Sequence, residues 1–258
     1  MTGAEIAAYI GAAAWLPIVF AWLYKVFVTP RVTIVPDEYP EIGFSTLGPI
    51  INVRMAITAT RKPAVIDSID LTLAHQDGES RKFHWSGMTE QVNQIVDATG
   101  NRQRIEKETN PIAFLVGVES VLEKFVRFQD RSFHQEMQPF LDAMVEKVHF
   151  SKKQNTYSRD AIMASPEFDN VKRGWARRFF WKAGKYTALF SVSSPSRLTL
   201  TQVNIQFQLT DTDIEILKKN LTINEEYIAA ILKQIEDGTP QPTLQWNWRY
   251  PRTIKIRS

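Results

Sequence analysis

The feature that most constrains this chain is alternation with a period of two. In residues 201–210, TQVNIQFQLT, Val203, Ile205, Phe207 and Leu209 share one face, while Asn204, Gln206, Gln208 and Thr210 share the other. That pattern suits an extended strand with one face in a core, because successive side chains of a strand point to opposite sides. The same period runs through INVRMAITA, where Val53, Met55 and Ile57 alternate with Arg54, Ala56 and Thr58. It recurs in DSIDLTLAH, where Ile69, Leu71 and Leu73 alternate with Ser68, Asp70 and Thr72. Asp77-Gly78 then signals a tight hairpin with positive φ at both central residues, returning through RKFHW. QVNQIVDATGNRQRIE reads as a second hairpin, turning at Gly100-Asn101.

Leu198 and Leu200 fall in the opposite register to Val203, and a bulge near Thr201-Gln202 reconciles them. Toward the C-terminus Leu244, Trp246, Trp248 and Tyr250 alternate with polar residues, as do Ile254 and Ile256. Many short half-buried strands predict antiparallel sheets. The expected fold is mainly β: an immunoglobulin-like antiparallel β-sandwich with helical insertions. GKYTALFSVS suits a late strand of such a sandwich, with Tyr186 placed as in a tyrosine corner, an analogy at the level of fold.

Helical insertions are expected near 131–149, 167–182 and 212–236. In QPFLDAMVEKVHF, Phe140, Leu141, Met144, Val145 and Val148 form one helical face, with Pro139 at the first helical position. Thr212 with Glu215 and Thr222 with Glu225 have the spacing of capping boxes, which predicts two helices, 213–220 and 223–236, stopped by Gly238 and Pro240. A helix-turn-helix would put Glu225 and Glu226 against phosphates at the leading end of its recognition helix, so DNA binding through this pair is disfavoured.

Before the strands comes an uncharged run, Ile6–Tyr24, close to the length a spanning helix needs. Trp22 and Tyr24 sit where an aromatic belt would lie. No Lys or Arg precedes the run, only Glu5, which argues against a cleaved signal peptide. Lys25 and Arg31 follow it. The expectation is one transmembrane anchor over 1–29, touching lipid through Ile6–Tyr24, and one domain over 30–258. The positive-inside bias puts the N-terminus outside and the domain in the cytoplasm, at the cell (inner) membrane. Gly3, Ala7 and Gly11 recur every four residues, a spacing that lets two such helices self-associate.

Residues 173–186, RGWARRFFWKAGKY, set five basic residues among five aromatics with no acid. As a helix over 167–182, Phe168, Val171, Trp175 and Phe179 make a core stripe, with Gly184 as a left-handed terminator. Arg173 and Arg177 then point away, flanked by Phe180 and Trp181. These four are the candidate binding residues. A protein partner, a membrane surface and single-stranded nucleic acid each suit Arg beside aromatics. The net charge of +3 is small for a dedicated duplex binder.

Nothing in the sequence assembles a reaction centre. The chain has no cysteine, which removes thiol nucleophiles, disulfides and Cys-ligated metals. His75, His84, His134 and His149 match no metal-ligand spacing, although His75 and His84 flank the Asp77-Gly78 turn. Gly184-Lys185-Tyr186-Thr187 lacks the leading glycine of a phosphate loop. Asn220-Leu221-Thr222 is a glycosylation sequon in a predicted helix. The expectation is a non-catalytic, membrane-anchored interaction or assembly module, without cofactor or metal, acting on a protein partner or as a homo-oligomer. The alternatives are a lipid-surface protein using the 173–182 face and an oligomeric membrane effector.

Overall fold

The computed structural model describes residues 2–96, 102–109, 112–201 and 204–256, with side chains inside 4–12, 25 and 90–108 outside that description. In chain order, α1 (Gly3–Phe27) precedes β1 (Arg31–Pro36), β2 (Glu41–Ser45), β3 (Gly48–Thr60), β4 (Ala64–Ile66), β5 (Ser68–His75), β6 (Ser80–Val96), β7 (Arg102–Thr109), β8 (Phe114–Val116) and β9 (Val121–Gln129). Helices α2 (Arg131–Lys153), α3 (Arg159–Met163) and α4 (Pro166–Arg177) follow, then β10 (Gly184–Ser193), β11 (Thr199–Thr201), β12 (Asn204–Leu209), α5 (Asp211–Asp237) and β13 (Ile254–Ile256). Among the described residues no helix is long and apolar enough to cross a membrane.

The molecule is mainly β, as its alternation requires. Eleven strands form one curled mixed sheet, ordered β11-β1-β3-β9-β6-β5-β10-β12-β13, with β2 also on β3 and β7 also on β6. Period two is visible in the burial: Ile69, Leu71 and Leu73 of β5 and Ile205, Phe207 and Leu209 of β12 all face the core. The purely antiparallel expectation fails at one seam, where β1 and β11 run parallel because β11 enters beside Arg31 in the same direction. Long strands hold the sheet together. β3 pairs with β2 over its first half, β1 over its second and β9 along most of its length. In its first half both faces of β3 are covered, so Ile50, Ile51 and Val53 are all buried.

The Asp77-Gly78 hairpin forms, but only Gly78 takes positive φ (94°), in a three-residue loop closed by His75 N–H donating to Glu79 O. The turn expected at Gly100-Asn101 and the bulge expected at Gln202 lie outside the described residues. The segment 244–250 is not a ladder strand. Arg249 makes one bridge to Ile42 of β2, and Trp248 covers the face of Gly43, leaving no room there for a Cβ.

Helix boundaries differ more than strand identities. α2 begins eight residues before Pro139, because Asp130 caps it by accepting from Ser132 N–H, and Phe133 and Met137 extend the buried stripe upstream. The two helices expected over 213–236 are one. Thr210 and Asp213, not the Thr212 or Thr222 pairs, form the capping box. The buried stripe Ile214, Leu217, Asn220, Asn224, Ile228, Leu232 continues through the expected break. Gly238, at φ 77°, ends the helix as the sequence predicts. Asn220 is fully buried, donating to Asn247 O and accepting from Asn247 N–H, so the sequon asparagine is structural.

Two stability predictions follow from these positions. Gly48→Ala meets both a φ of 88° and the Phe133 ring 2.5 Å from the new Cβ, whereas Gly78→Ala meets only its φ. Urea unfolding should show Gly78→Ala costing about 1 kcal/mol and Gly48→Ala costing more by a further ~1–3 kcal/mol; equal losses would contradict the packing described. Both amide atoms of buried Asn224 lack a hydrogen-bonding partner among the described residues. Asn224→Leu should therefore stabilise, by about 1–2 kcal/mol.

Candidate functional site

The site is built from the stretch RGWARRFFWKAGKY, and its geometry departs from the expected helix. α4 is capped by Ser165, whose hydroxyl accepts from Phe168 N–H, and begins at Pro166. Phe168, Val171, Gly174 and Trp175 are buried at helical spacing, which leaves Arg173 and Arg177 exposed on the other side. The helix then stops at Arg177 rather than 182, and Gly184 (φ 135°) opens β10 instead of capping a helix.

The cause is Phe180 and Trp181, which are 1% and 2% exposed. A continued helix would carry them to the arginine face. Instead Trp181 donates its indole N–H to Gly43 O at 2.8 Å and stacks on Phe83. Phe180 packs on Phe83 and Tyr186. The hydroxyl of Tyr186 accepts from Lys182 N–H (2.6 Å) and donates to Lys182 O (3.0 Å), fixing the extended segment that leads into β10. Of the four candidate residues, then, Arg173 and Arg177 lie on the surface and Phe180 and Trp181 belong to the core.

Around this segment runs a chain of opposite charges that the sequence did not reveal. Lys182 Nζ lies 2.8 Å from Asp77 and 2.7 Å from Glu79, Arg81 reaches Glu79 (3.3 Å) and Asp130 (3.4 Å), and the Arg81 guanidinium rests 4.7 Å above the Phe180 ring. Lys182 holds the carboxyls of Asp77 and Glu79 below their ordinary range, and those carboxylates hold Lys182 above its own. Burial pushes the Tyr186 phenol up to about 12.

Arg81, Arg173, Arg177 and Arg178 converge with Asn170 and Glu136 on a cleft of about 410 Å³ between α2, α4 and β6. Phe140 and Gly174 complete its lining. Arg178 pairs with Glu136, and Arg173 donates to Asn170 Oδ1 at 2.6 Å. Among the described residues Arg177 has no ion pair and no side-chain hydrogen bond. A second hollow of about 580 Å³ adjoins it, sharing Arg81, Glu136 and Arg178 and adding Lys82, Arg131 and His84. The arrangement presents donors and positive charge. Arg81 and Glu136 come from distant segments with no local signal, and only the fold brings them here.

The other candidates are placed as follows. His84 faces Asp70 across the β5–β6 ladder at 2.7 Å, while His75 is buried against Tyr186 and pairs with Asp77 at 2.9 Å. The two histidines do not face each other. Among the described residues no group of three or more His, Asp or Glu could hold a metal ion. Gly3, Ala7 and Gly11 all fall within α1, but the surroundings of Ala7 and Gly11 lie outside the described residues.

The ion chain has a pH signature. Asp77 and Glu79 titrate in the folded protein below their ordinary values of 3.8 and 4.5. Their contribution is therefore complete above those values and is lost as pH falls through the folded ones. Urea midpoints measured from pH 7 to pH 3 should show Lys182→Gln less stable than the wild type near neutrality, with the gap beginning to narrow as pH falls below about 4 and shrinking in high salt. A gap that is independent of pH would contradict the pairing. No family model, curated protein or solved structure matches the chain.

Proposed function

We propose that this chain is a membrane-tethered interaction module, with α1 as the anchor and the β-rich body as the partner-binding part. The observation that carries the reading is the surface of α1. Trp15, Leu16, Ile18, Val19, Phe20 and Trp22 are all exposed, and so are Tyr24, Val26 and Phe27. Steps of about 100° per residue distribute these side chains around the helix. A helix that is apolar all round needs cover on every side, which lipid supplies and water does not. The uncharged run Ile6–Tyr24 followed by Lys25 and Arg31 supports a single pass with the body on the cytoplasmic side. Self-association through Gly3, Ala7 and Gly11 belongs to the same proposal.

The immunoglobulin-like description also stays a proposal. It is supported by the Tyr186 hydroxyl bonding back to the Lys182 backbone, the contact type of a tyrosine corner. The lipid-surface alternative draws less support, since Phe180 and Trp181 are spent in the core and cannot insert at headgroup depth.

Membranes carrying the full chain, washed with alkaline carbonate, should retain it in the pellet. Val19→Arg with Phe20→Arg should release it, because each charge at a helix centre costs about 2.5–3.5 kcal/mol in insertion. Wild-type chain in the wash would end the anchor reading.

A further inference from the structure

We propose that the arginine cleft binds a phosphate dianion presented from the aqueous phase, on the side of the body away from the anchor. The aqueous placement rests on the anchor reading above; the anion chemistry does not.

The ligand class comes from the lining. Four guanidiniums face one carboxylate, Glu136, and no lysine takes part. Guanidinium forks match phosphate oxygens two at a time, which an ammonium does not. Each guanidinium carries five N–H donors, yet among the described residues the four together make six hydrogen bonds to protein acceptors. Most donors are therefore unspent. Arg81 and Arg178 are already paired with Glu79, Asp130 and Glu136, so among the described residues the charge left without a carboxylate partner is that of Arg173 and Arg177, which a dianion matches and a singly charged carboxylate does not.

Three of the four arginines are already held. Arg81 is tied to Glu79 and Asp130 and laid on Phe180. Arg178 is tied to Glu136 and lies 5.9 Å above Phe140. Arg173 is tied to Asn170 and to Asp169 O. Side chains fixed before binding lose less entropy on binding. Of the four, Arg177 is the one without an ion pair or side-chain hydrogen bond among the described residues, and it can close on the ligand. A volume of about 410 Å³ suits a small phosphorylated group. Single-stranded nucleic acid fits poorly, because Trp175, Phe180 and Trp181 are buried and offer no face to a base.

The placement follows from strand register. α1 joins β1 at Arg31, which pairs with Thr60 at the far end of β3. The cleft lies at the other end, where Ile50 pairs with Gln129 and the chain turns into α2. Nine residues of β9 separate the two ends, roughly 30 Å at strand rise. The connection cannot fold the body down freely: Val28 N–H bonds to Tyr24 O, and Pro30 O accepts from Thr199 N–H. At a Debye length of about 10 Å, lipid charge of the chain's own bilayer is screened from the cleft.

The test uses the full chain in phosphatidylcholine nanodiscs. Thermal unfolding is followed in inorganic phosphate, then pyrophosphate, against chloride at matched ionic strength and pH. The midpoint should rise by a few degrees with concentration, as binding to the folded state requires. Arg173→Ala with Arg177→Ala should abolish the rise while leaving the midpoint in chloride nearly unchanged, both side chains being exposed. A second arm offers the nanodiscs to separate vesicles containing phosphatidylinositol 4-phosphate. A shift with the free ions assigns a soluble source; capture by vesicles, lost in the double variant, assigns a headgroup on a facing surface. No shift and no capture, or effects that persist in the double variant, would overturn the proposal. A phosphate-dependent shift in a chain that carbonate releases would sink the anchor reading alone.

Discussion

The burial of Phe180 and Trp181 decides the geometry of one whole end of the molecule. Each ring removes on the order of 150–250 Å² from water, worth up to about 4–6 kcal/mol at 25 cal/mol per Å². Extending α4 by five residues would gain intrahelical bonds whose net worth is about 1 kcal/mol each, and would leave both rings in solvent. The burial term wins, and the helix ends at Arg177. Once the segment is extended, Lys182 must surface beside Asp77 and Glu79, and Arg178 beside Glu136. The cleft is thus a by-product of where two aromatic rings had to go.

The charges around it fix geometry more than they add stability. Exposed ion pairs contribute about 0–1 kcal/mol, and Lys182, Asp77 and Glu79 are all partly exposed. What they do is link three separate pieces of chain: the β5–β6 turn, the start of α2 and the segment entering β10. Arg81 is the joint, because one side chain touches Glu79, Asp130 and Phe180. Removing it would uncouple the turn from the start of α2 and from Phe180, and the cleft would lose one of its four guanidiniums.

How much of this was legible in the sequence depends on the range of the interaction. Strands β3, β5, β10 and β12 were visible because period two is a local property imposed by one buried face. Helix ends were less so. The single helix α5 reads as two until Asn247, a residue 27 positions away, is seen to satisfy Asn220 at the expected break. The C-terminal segment alternates like a strand, yet its tryptophans serve as covers: Trp248 lies on Gly43, and Trp246 stands near Tyr227. Of the cleft, Arg173 and Arg177 were legible as the basic side of an amphipathic helix. Arg81 and Glu136 were not, since nothing in RKFHW or in α2 marks them apart from other surface charge.

The curled sheet also imposes a polarity on the chain. α1 enters at the end of β3 defined by Thr60, and the cleft, the Asp77 turn and the starts of α2 and α5 gather at the other. A sheet transmits position rigidly along its strands, so the anchor proposed for α1 would hold the arginines at a fixed height. A basic patch beside a bilayer would be occupied by the nearest anionic lipid. Set back by about three Debye lengths in 0.1 M salt, the same charges would stay available to an anion arriving from the aqueous side. Separation by strand length, rather than a weaker charge, would keep the proposed site from being filled by the membrane of the proposed anchor.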